Sequence, residues 1–108
     1  MSTREVVIVD GARTAFGTLG RTLRNFTMEE LGGLALKGLV EKTKITEKAN
    51  VDTLFMGAAL HATSALNPAR WVCLAAGLPL SVASSYVEMQ CGSAIDSINH
   101  AAWRIIAN

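Results

Sequence analysis

The alternation of strand-like and helix-like segments constrains the fold of this chain more than any other feature. Short strand-like runs occur at 5–10, 51–57 and 84–90. Each is followed by a longer segment with a helical pattern, the last running from Cys91 to about Ala107. The first strand at 5–10, the helix after it and the strand at 51–57 have the spacing that favours a right-handed βαβ unit. The predicted order is βαβαβα, an α/β fold with a mainly parallel sheet covered by helices.

The helix boundaries carry their own signals. Thr27 and Glu30 have the spacing of a capping box at the start of the first helix. Asn67 followed by Pro68 predicts the start of the second helix, and Gly77 its end. The buried stripe of the first helix is predicted from apolar residues at helical spacing, namely Leu31, Leu34, Ala35 and Leu39.

Composition excludes several classes of function. The chain has 108 residues and a net charge of +1 without basic or acidic blocks, which indicates neither a nucleic-acid nor a membrane-surface partner. No apolar run approaches the ~20 residues that span a bilayer. The N-terminus lacks the pattern of a signal peptide, and two cysteines do not make a disulfide framework, so a cytoplasmic location is expected. The cysteines and histidines are too scattered for metal ligation.

Cys91 is the candidate catalytic residue. It follows the third predicted strand and stands in what is predicted to be the first turn of the third helix. Unpaired backbone N–H groups and the positive end of a helix dipole favour thiolate over thiol there, and the thiolate is the nucleophile. The buried face of this helix is predicted from its apolar periodicity, as Ala94, Ile98, Ala101, Ala102 and Ile105.

The other chemically active side chains are better explained by structure. Cys73 lies among apolar residues and is predicted to be a small buried hydrophobe. His61, in a loop, is interpreted as structural. His100 follows Asp96 by four residues, which predicts a surface Asp–His pair. It lies roughly 13 Å from Cys91 along a helix, too far to act on the thiol.

Several segments together resemble the N-terminus of thiolases, and the resemblance extends over the whole chain. They are Val6-Val7-Ile8-Val9, Arg13-Thr14, Met56-Gly57, Asn67-Pro68-Ala69-Arg70, Ala76-Gly77-Leu78-Pro79 and Cys91-Gly92-Ser93. The cysteine segment is the most specific of them.

The resemblance implies an activity. In thiolases the residue matching Cys91 takes the acyl group of a CoA thioester, and its backbone N–H contributes to an oxyanion hole. The acyl group then passes to a second acetyl-CoA, or the reverse thiolysis occurs. CoA thioesters are the substrates, and no further cofactor is implied. Residues 1–108 would be an incomplete N-terminal domain of a homodimer or homotetramer, with strand 84–90 at the dimer contact.

Departures from the family pattern are also visible. Glu88 stands where thiolases often have Asn, and Ala94 where Gly is usual. A carboxylate facing the thiolate would oppose ionisation, but the direction of the Glu88 side chain stays open. The family's catalytic histidine segments and second cysteine segment are absent, so the 108-residue chain alone is predicted to be inactive.

Three other interpretations remain open. The chain could belong to another condensing enzyme of the same superfamily, such as a ketoacyl synthase, although Gln90-Cys91-Gly92-Ser93 favours a thiolase. It could be a non-catalytic, thiolase-like binding module. Cys91 could also be an inert core thiol.

Overall fold

A computed structural model describes residues 4–60 and 65–108. In chain order its elements are α1 (Met28–Thr43), α2 (Ile45–Lys48), β1 (Thr53–Gly57), α3 (Pro68–Ala75), β2 (Ala83–Val87) and α4 (Ser93–Ala107). β1 and β2 are parallel, with Thr53 opposite Ala83 and Gly57 opposite Val87. The parallel arrangement predicted for the second and third strands, with a helix between them, is therefore confirmed, and the carboxyl ends of β1 and β2 meet at one edge.

The predicted helix caps form as expected. The backbone N–H of Glu30 donates to Thr27 Oγ1 at 3.2 Å, and the N–H of Thr27 donates to Glu30 Oε2 at 2.8 Å, which completes the capping box of α1. Asn67 caps α3 by accepting from the Arg70 N–H, and Pro68 occupies the first turn. Gly77, at φ 76°, follows the end of α3.

The contact of α1 with α3 corrects one prediction. Gly33 is buried, whereas Leu34, assigned to the buried stripe, is 51% exposed. A Cβ at Gly33 would lie 2.8 Å from the Ala75 Cβ, and one at Gly32 would lie 2.9 Å from Val72 Cγ2. The two helices thus cross at glycines, and this close crossing selects the buried face.

The core lies at α3 and the connection from α3 to β2, against which α1 and β1 pack. Cys73, Leu78 and Val82 are buried, and Leu36, Val40, Val51 and Leu54 pack against them. The prediction that Cys73 is a buried hydrophobe is confirmed, since the residue is 0% exposed. Arg70 closes the α3–β2 connection by donating to the carbonyls of Val82 at 2.7 Å and Leu80 at 3.1 Å.

The strand predicted at 5–10 is wrong for this structure, and so is the βαβ unit that it was expected to form with the first helix and the strand at 51–57. Residues 5–10 have no sheet partner among the residues described, and Val7, Ile8 and Val9 are 64%, 83% and 79% exposed. Lys42 anchors the end of this segment through a 2.8 Å bond to Asp10 Oδ1. A β-branched run becomes a strand only when it pairs and packs, and neither occurs here.

The buried face of α4 is also different from the predicted one. Ser93 and Ser97 are buried, whereas Ile98 of the predicted stripe is 57% exposed and Ile105 is 40% exposed. The start of α4 lies against Gly57 of β1 at the buried Ser93, and further along the helix His100 packs near Phe55 of β1. Periodicity identified the apolar face of the helix but not the face that contacts the sheet.

Candidate functional site

Cys91 lies in the turn between β2 and α4, at the edge where the parallel strands end. Its side chain is exposed and forms no disulfide. α4 begins at Ser93 with Gly92 as N-cap, so Cys91 precedes the helix instead of lying in its first turn. The first helical hydrogen bond runs from the Asp96 N–H to the Gly92 carbonyl at 2.9 Å. The thiol is therefore presented just beyond the helix N-terminus.

The residue before the cysteine has an unusual backbone conformation. Gln90 lies in the left-handed region, at φ 52°. The Ser93 hydroxyl donates to the Gln90 carbonyl at 2.6 Å and accepts from the Met89 N–H at 2.8 Å. Ser93 is 2% exposed, so this bridge lies inside the protein. The serine of the Cys-Gly-Ser segment thus stabilises the turn that carries Cys91.

The structure gives Glu88 a definite direction. Its Oε1 accepts from the backbone N–H of Gln90 at 3.0 Å. The residue is exposed, and its carboxylate is engaged with the turn backbone. The side-chain direction that strand alternation left open is therefore toward the backbone N–H of Gln90, the residue before Cys91.

Gly57 permits the close approach of β1 to the start of α4. A Cβ at Gly57 would lie 2.6 Å from the Ala94 backbone nitrogen and would contact the Ser93 carbonyl even more closely. Real Cβ atoms do not tolerate such distances. The sequence marked Gly57 only as the end of a strand, and its role depends on a segment 36 positions away (93 minus 57) that only the fold brings near.

His100 lies on α4 about two turns beyond the turn that carries Cys91. His100 Nδ1 lies 2.9 Å from the Asp96 carbonyl oxygen and 3.6 Å from Asp96 Oδ2, which confirms the predicted Asp–His pair. The imidazole also packs near Phe55 and Trp103, at centroid distances of 6.0 and 5.4 Å. His61 lies outside the described residues. Within 4–60 and 65–108, no cluster of three or more potential metal ligands occurs.

Tyr86 connects the two strand ends. Its hydroxyl donates to the Ala58 carbonyl at 2.9 Å. Burial raises the pKa of Tyr86 above its ordinary value of 10.0, and the negative charge of Glu88 raises it further. The charge of Glu88 therefore acts on the Tyr86 hydroxyl, and both residues lie beside the turn that carries Cys91.

A depression of about 550 Å³ lies elsewhere on the surface. It is lined by residues that include Arg4, Thr53, Phe55 and Arg104. Thr53 begins β1, whereas Cys91 follows the end of β2, so this depression lies at the opposite edge of the sheet from the thiol.

The structure is that of an α/β protein with a candidate nucleophile. Its two parallel strands are followed by an exposed cysteine, which lies just before a long helix. Residues 6–108 match the family described as "Thiolase, N-terminal domain". The chain belongs to the thiolase family.

Individual relatives agree with this assignment. The chain is 37% identical over 103 residues to acetyl-CoA acetyltransferase of Chromobacterium violaceum, covering 95% of this chain and 26% of the relative. It is 38% identical over 93 residues to the enzyme of that name in Schizosaccharomyces pombe, covering 86% and 23%. The solved structure of acetyl-CoA acetyltransferase from Syntrophomonas wolfei superposes with a TM-score of 0.87 at 26% identity, covering 98% and 26%.

These comparisons confirm the predicted thiolase-like α/β fold. The chain spans about a quarter of the length of the curated relatives it matches. Among the helices of the described segments, none is both long and apolar enough to cross a membrane.

Proposed function

We propose that this chain is the part of an acetyl-CoA C-acetyltransferase that carries the nucleophile, Cys91. The observation that carries the proposal is the exposed Cys91 in a structured turn between β2 and α4 of a thiolase-family chain. The relatives named acetyl-CoA acetyltransferase support the acyl-transfer class and CoA thioesters as substrates.

The proposed reaction has two covalent steps. The Cys91 thiolate attacks the carbonyl carbon of acetyl-CoA, and CoA leaves as its thiolate, which is then protonated. A second acetyl-CoA loses a methyl proton, and its carbanion attacks the acetyl-cysteine carbonyl to form acetoacetyl-CoA and free Cys91. The backbone N–H of Cys91 would help to stabilise the oxyanion, and the positive end of the α4 dipole, which begins two residues later, would favour the same charge.

We expect catalytic turnover to require groups beyond those of this chain, because the histidine segments expected of thiolases do not occur in its sequence. The proton transfers need a base and an acid. His100 contacts Asp96 on α4, away from the turn of Cys91, so we do not expect it to supply either one. We therefore expect that the isolated 108-residue chain does not catalyse acetoacetyl-CoA thiolysis. A thiolysis rate from the purified chain that disappears in Cys91→Ala would contradict this expectation.

The direct test is to trap the acyl-enzyme. The experiment uses a catalytically active protein that contains residues 1–108, called the competent protein below. It is mixed with acetyl-CoA, quenched with acid and digested, and mass spectrometry locates the acetyl group. We expect acetylation at Cys91 and none at Cys73, with Cys91→Ala as the control. Acetylation solely from acyl carrier protein thioesters would favour a ketoacyl synthase. No acyl-cysteine from either donor would favour the non-catalytic module.

The assembly and location are part of the proposal. β2 pairs with β1 along one edge, and its other edge has no strand partner within the described ranges. An unpaired edge is a template for strand addition, which supports a homodimer or homotetramer with 84–90 at the contact. A cytoplasmic location is proposed on composition. Cross-linking and mass photometry of the competent protein test the assembly.

A further inference from the structure

We propose that Glu88 is a positioning residue for Cys91. Its carboxylate holds the backbone N–H of Gln90 and so maintains the left-handed turn from which the thiol projects. This inference rests on the proposed function of Cys91 as the nucleophile. It concerns a residue at which this chain differs from the Asn that is frequent in thiolases.

The turn needs such support because Gln90 is strained. Its φ of 52° brings the Cβ close to the following carbonyl, and residues other than glycine avoid this region. Conformations of this kind persist only where the surrounding structure holds them. The hydrogen-bond partners of the residues around Gln90 therefore determine whether the turn keeps its shape.

Two side chains hold the turn, one from each side of Cys91. Ser93 bridges the Met89 N–H and the Gln90 carbonyl from inside the protein, at 2.8 and 2.6 Å. Glu88 binds the Gln90 N–H from the solvent side at 3.0 Å. A bond to a carboxylate is stronger than one between neutral groups. Without Glu88, the Gln90 N–H loses this partner and the peptide can rotate.

Rotation at Gln90 would act directly on the thiol. The direction of the Cys91 Cα–Cβ bond follows from the backbone dihedrals of the residue before it. Attack on a thioester requires the sulfur to stand within about 3–3.5 Å of the carbonyl carbon in the correct alignment. A looser turn holds this geometry for less of the time. The acylation step should slow, while binding of acyl-CoA should be unchanged.

Two substitutions of Glu88 distinguish the positioning role from an effect of its charge on the thiol. Glu88→Gln removes the charge but retains a side-chain oxygen that can accept the Gln90 N–H. Glu88→Ala removes both. If Glu88 positions the turn, Gln rescues and Ala does not. If it acted through its charge, the two variants would change alike.

The test measures single-turnover acetylation of Cys91 by rapid quench with acetyl-CoA in the competent protein that carries these residues. For Glu88→Ala we expect a roughly tenfold lower rate at saturating acetyl-CoA, as for the loss of a bond to a charged group, with an unchanged half-saturating concentration. Glu88→Gln, whose amide oxygen makes a weaker neutral bond to the same N–H, should stay within about threefold of the wild type. Glu47→Ala, which removes an exposed carboxylate from α2, is the matched control and should have no effect.

Amide hydrogen exchange provides a readout independent of chemistry. The Gln90 N–H should exchange faster in Glu88→Ala than in the wild type and Glu88→Gln. Wild-type acylation rates in Glu88→Ala, equal changes in both variants, or a parallel loss of acyl-CoA affinity would overturn the positioning role. A wild type that forms no acetyl-Cys91 would instead refute the proposed function, and the inference with it.

Discussion

The backbone of Gly57 at the end of β1 lies against the backbone of Ala94 at the start of α4. A Cβ at position 57 would approach the Ala94 nitrogen to 2.6 Å. This contact places the start of α4, and with it the turn of Cys91, directly beside the carboxyl end of β1. The geometry of the candidate site therefore depends on Gly57, a glycine of the neighbouring strand β1.

Gly57→Ala is expected to destabilise the protein and displace the start of α4. The atoms it meets belong to the backbone and cannot rotate away, so a cost of about 1–3 kcal/mol or more is expected. Urea unfolding measures the change in the free energy of unfolding. Gly11→Ala is the matched control because a Cβ there meets no atom within 4 Å, and it should change stability by less than about 0.5 kcal/mol. Equal effects of the two substitutions would contradict the proposed contact.

Two glycines of α1 should respond to alanine with opposite signs. Gly33→Ala puts a Cβ 2.8 Å from that of Ala75 on α3, and overpacking should cost about 1–3 kcal/mol. Gly38→Ala meets nothing within 4 Å on an exposed face and should stabilise by about 0.5–1 kcal/mol through helix propensity. Thermal unfolding of both variants measures the difference. A stabilising Gly33→Ala would show that the helices do not cross at this residue.

The two cysteines should differ in their accessibility to reagents. Cys91 is exposed and Cys73 is 0% exposed. We expect native-state iodoacetamide to label Cys91 at least about tenfold faster, because Cys73 reacts only after local opening. Peptide mass spectrometry over time gives both rates, and labelling in denaturant is the control in which they converge. Faster labelling of Cys73 in the native protein would exclude Cys91 as the presented thiol.

The single tyrosine reports on the charge beside the site. The pKa of Tyr86 is expected above 10.0, because burial and then the Glu88 charge disfavour the phenolate. The associated stability is present below the unfolded pKa of about 10 and is lost as the pH rises through the folded pKa. Tyrosinate absorbance during alkaline titration measures the midpoint. Glu88→Gln should lower it and Glu47→Gln should not, whereas an unchanged midpoint in Glu88→Gln would show that the charge does not reach the ring.

Local features were predicted well. Thr27 with Glu30 and Asn67 with Pro68 form the caps that their spacing indicated, because these bonds join residues close in sequence. The family segments, with Cys91-Gly92-Ser93 the most specific, led to the thiolase fold that the family match and the superposition confirm. The assignment of catalysis to Cys91 stays a prediction until the acyl-enzyme is trapped.

The sequence by itself determined the three long helices, the caps of α1 and α3, and the family, whereas the short α2 was not predicted. Helices and caps follow from hydrogen bonds and side-chain periodicity within short segments, and the family follows from the order of short motifs along the chain. The tertiary structure decided which surfaces meet: that 5–10 stays unpaired, that Ser97 and not Ile98 of α4 faces inward, and that Glu88 binds the Gln90 N–H. The physical reason is that strand pairing and burial depend on partners distant in sequence. Their positions follow from close backbone approaches, such as that of Gly57 to Ala94.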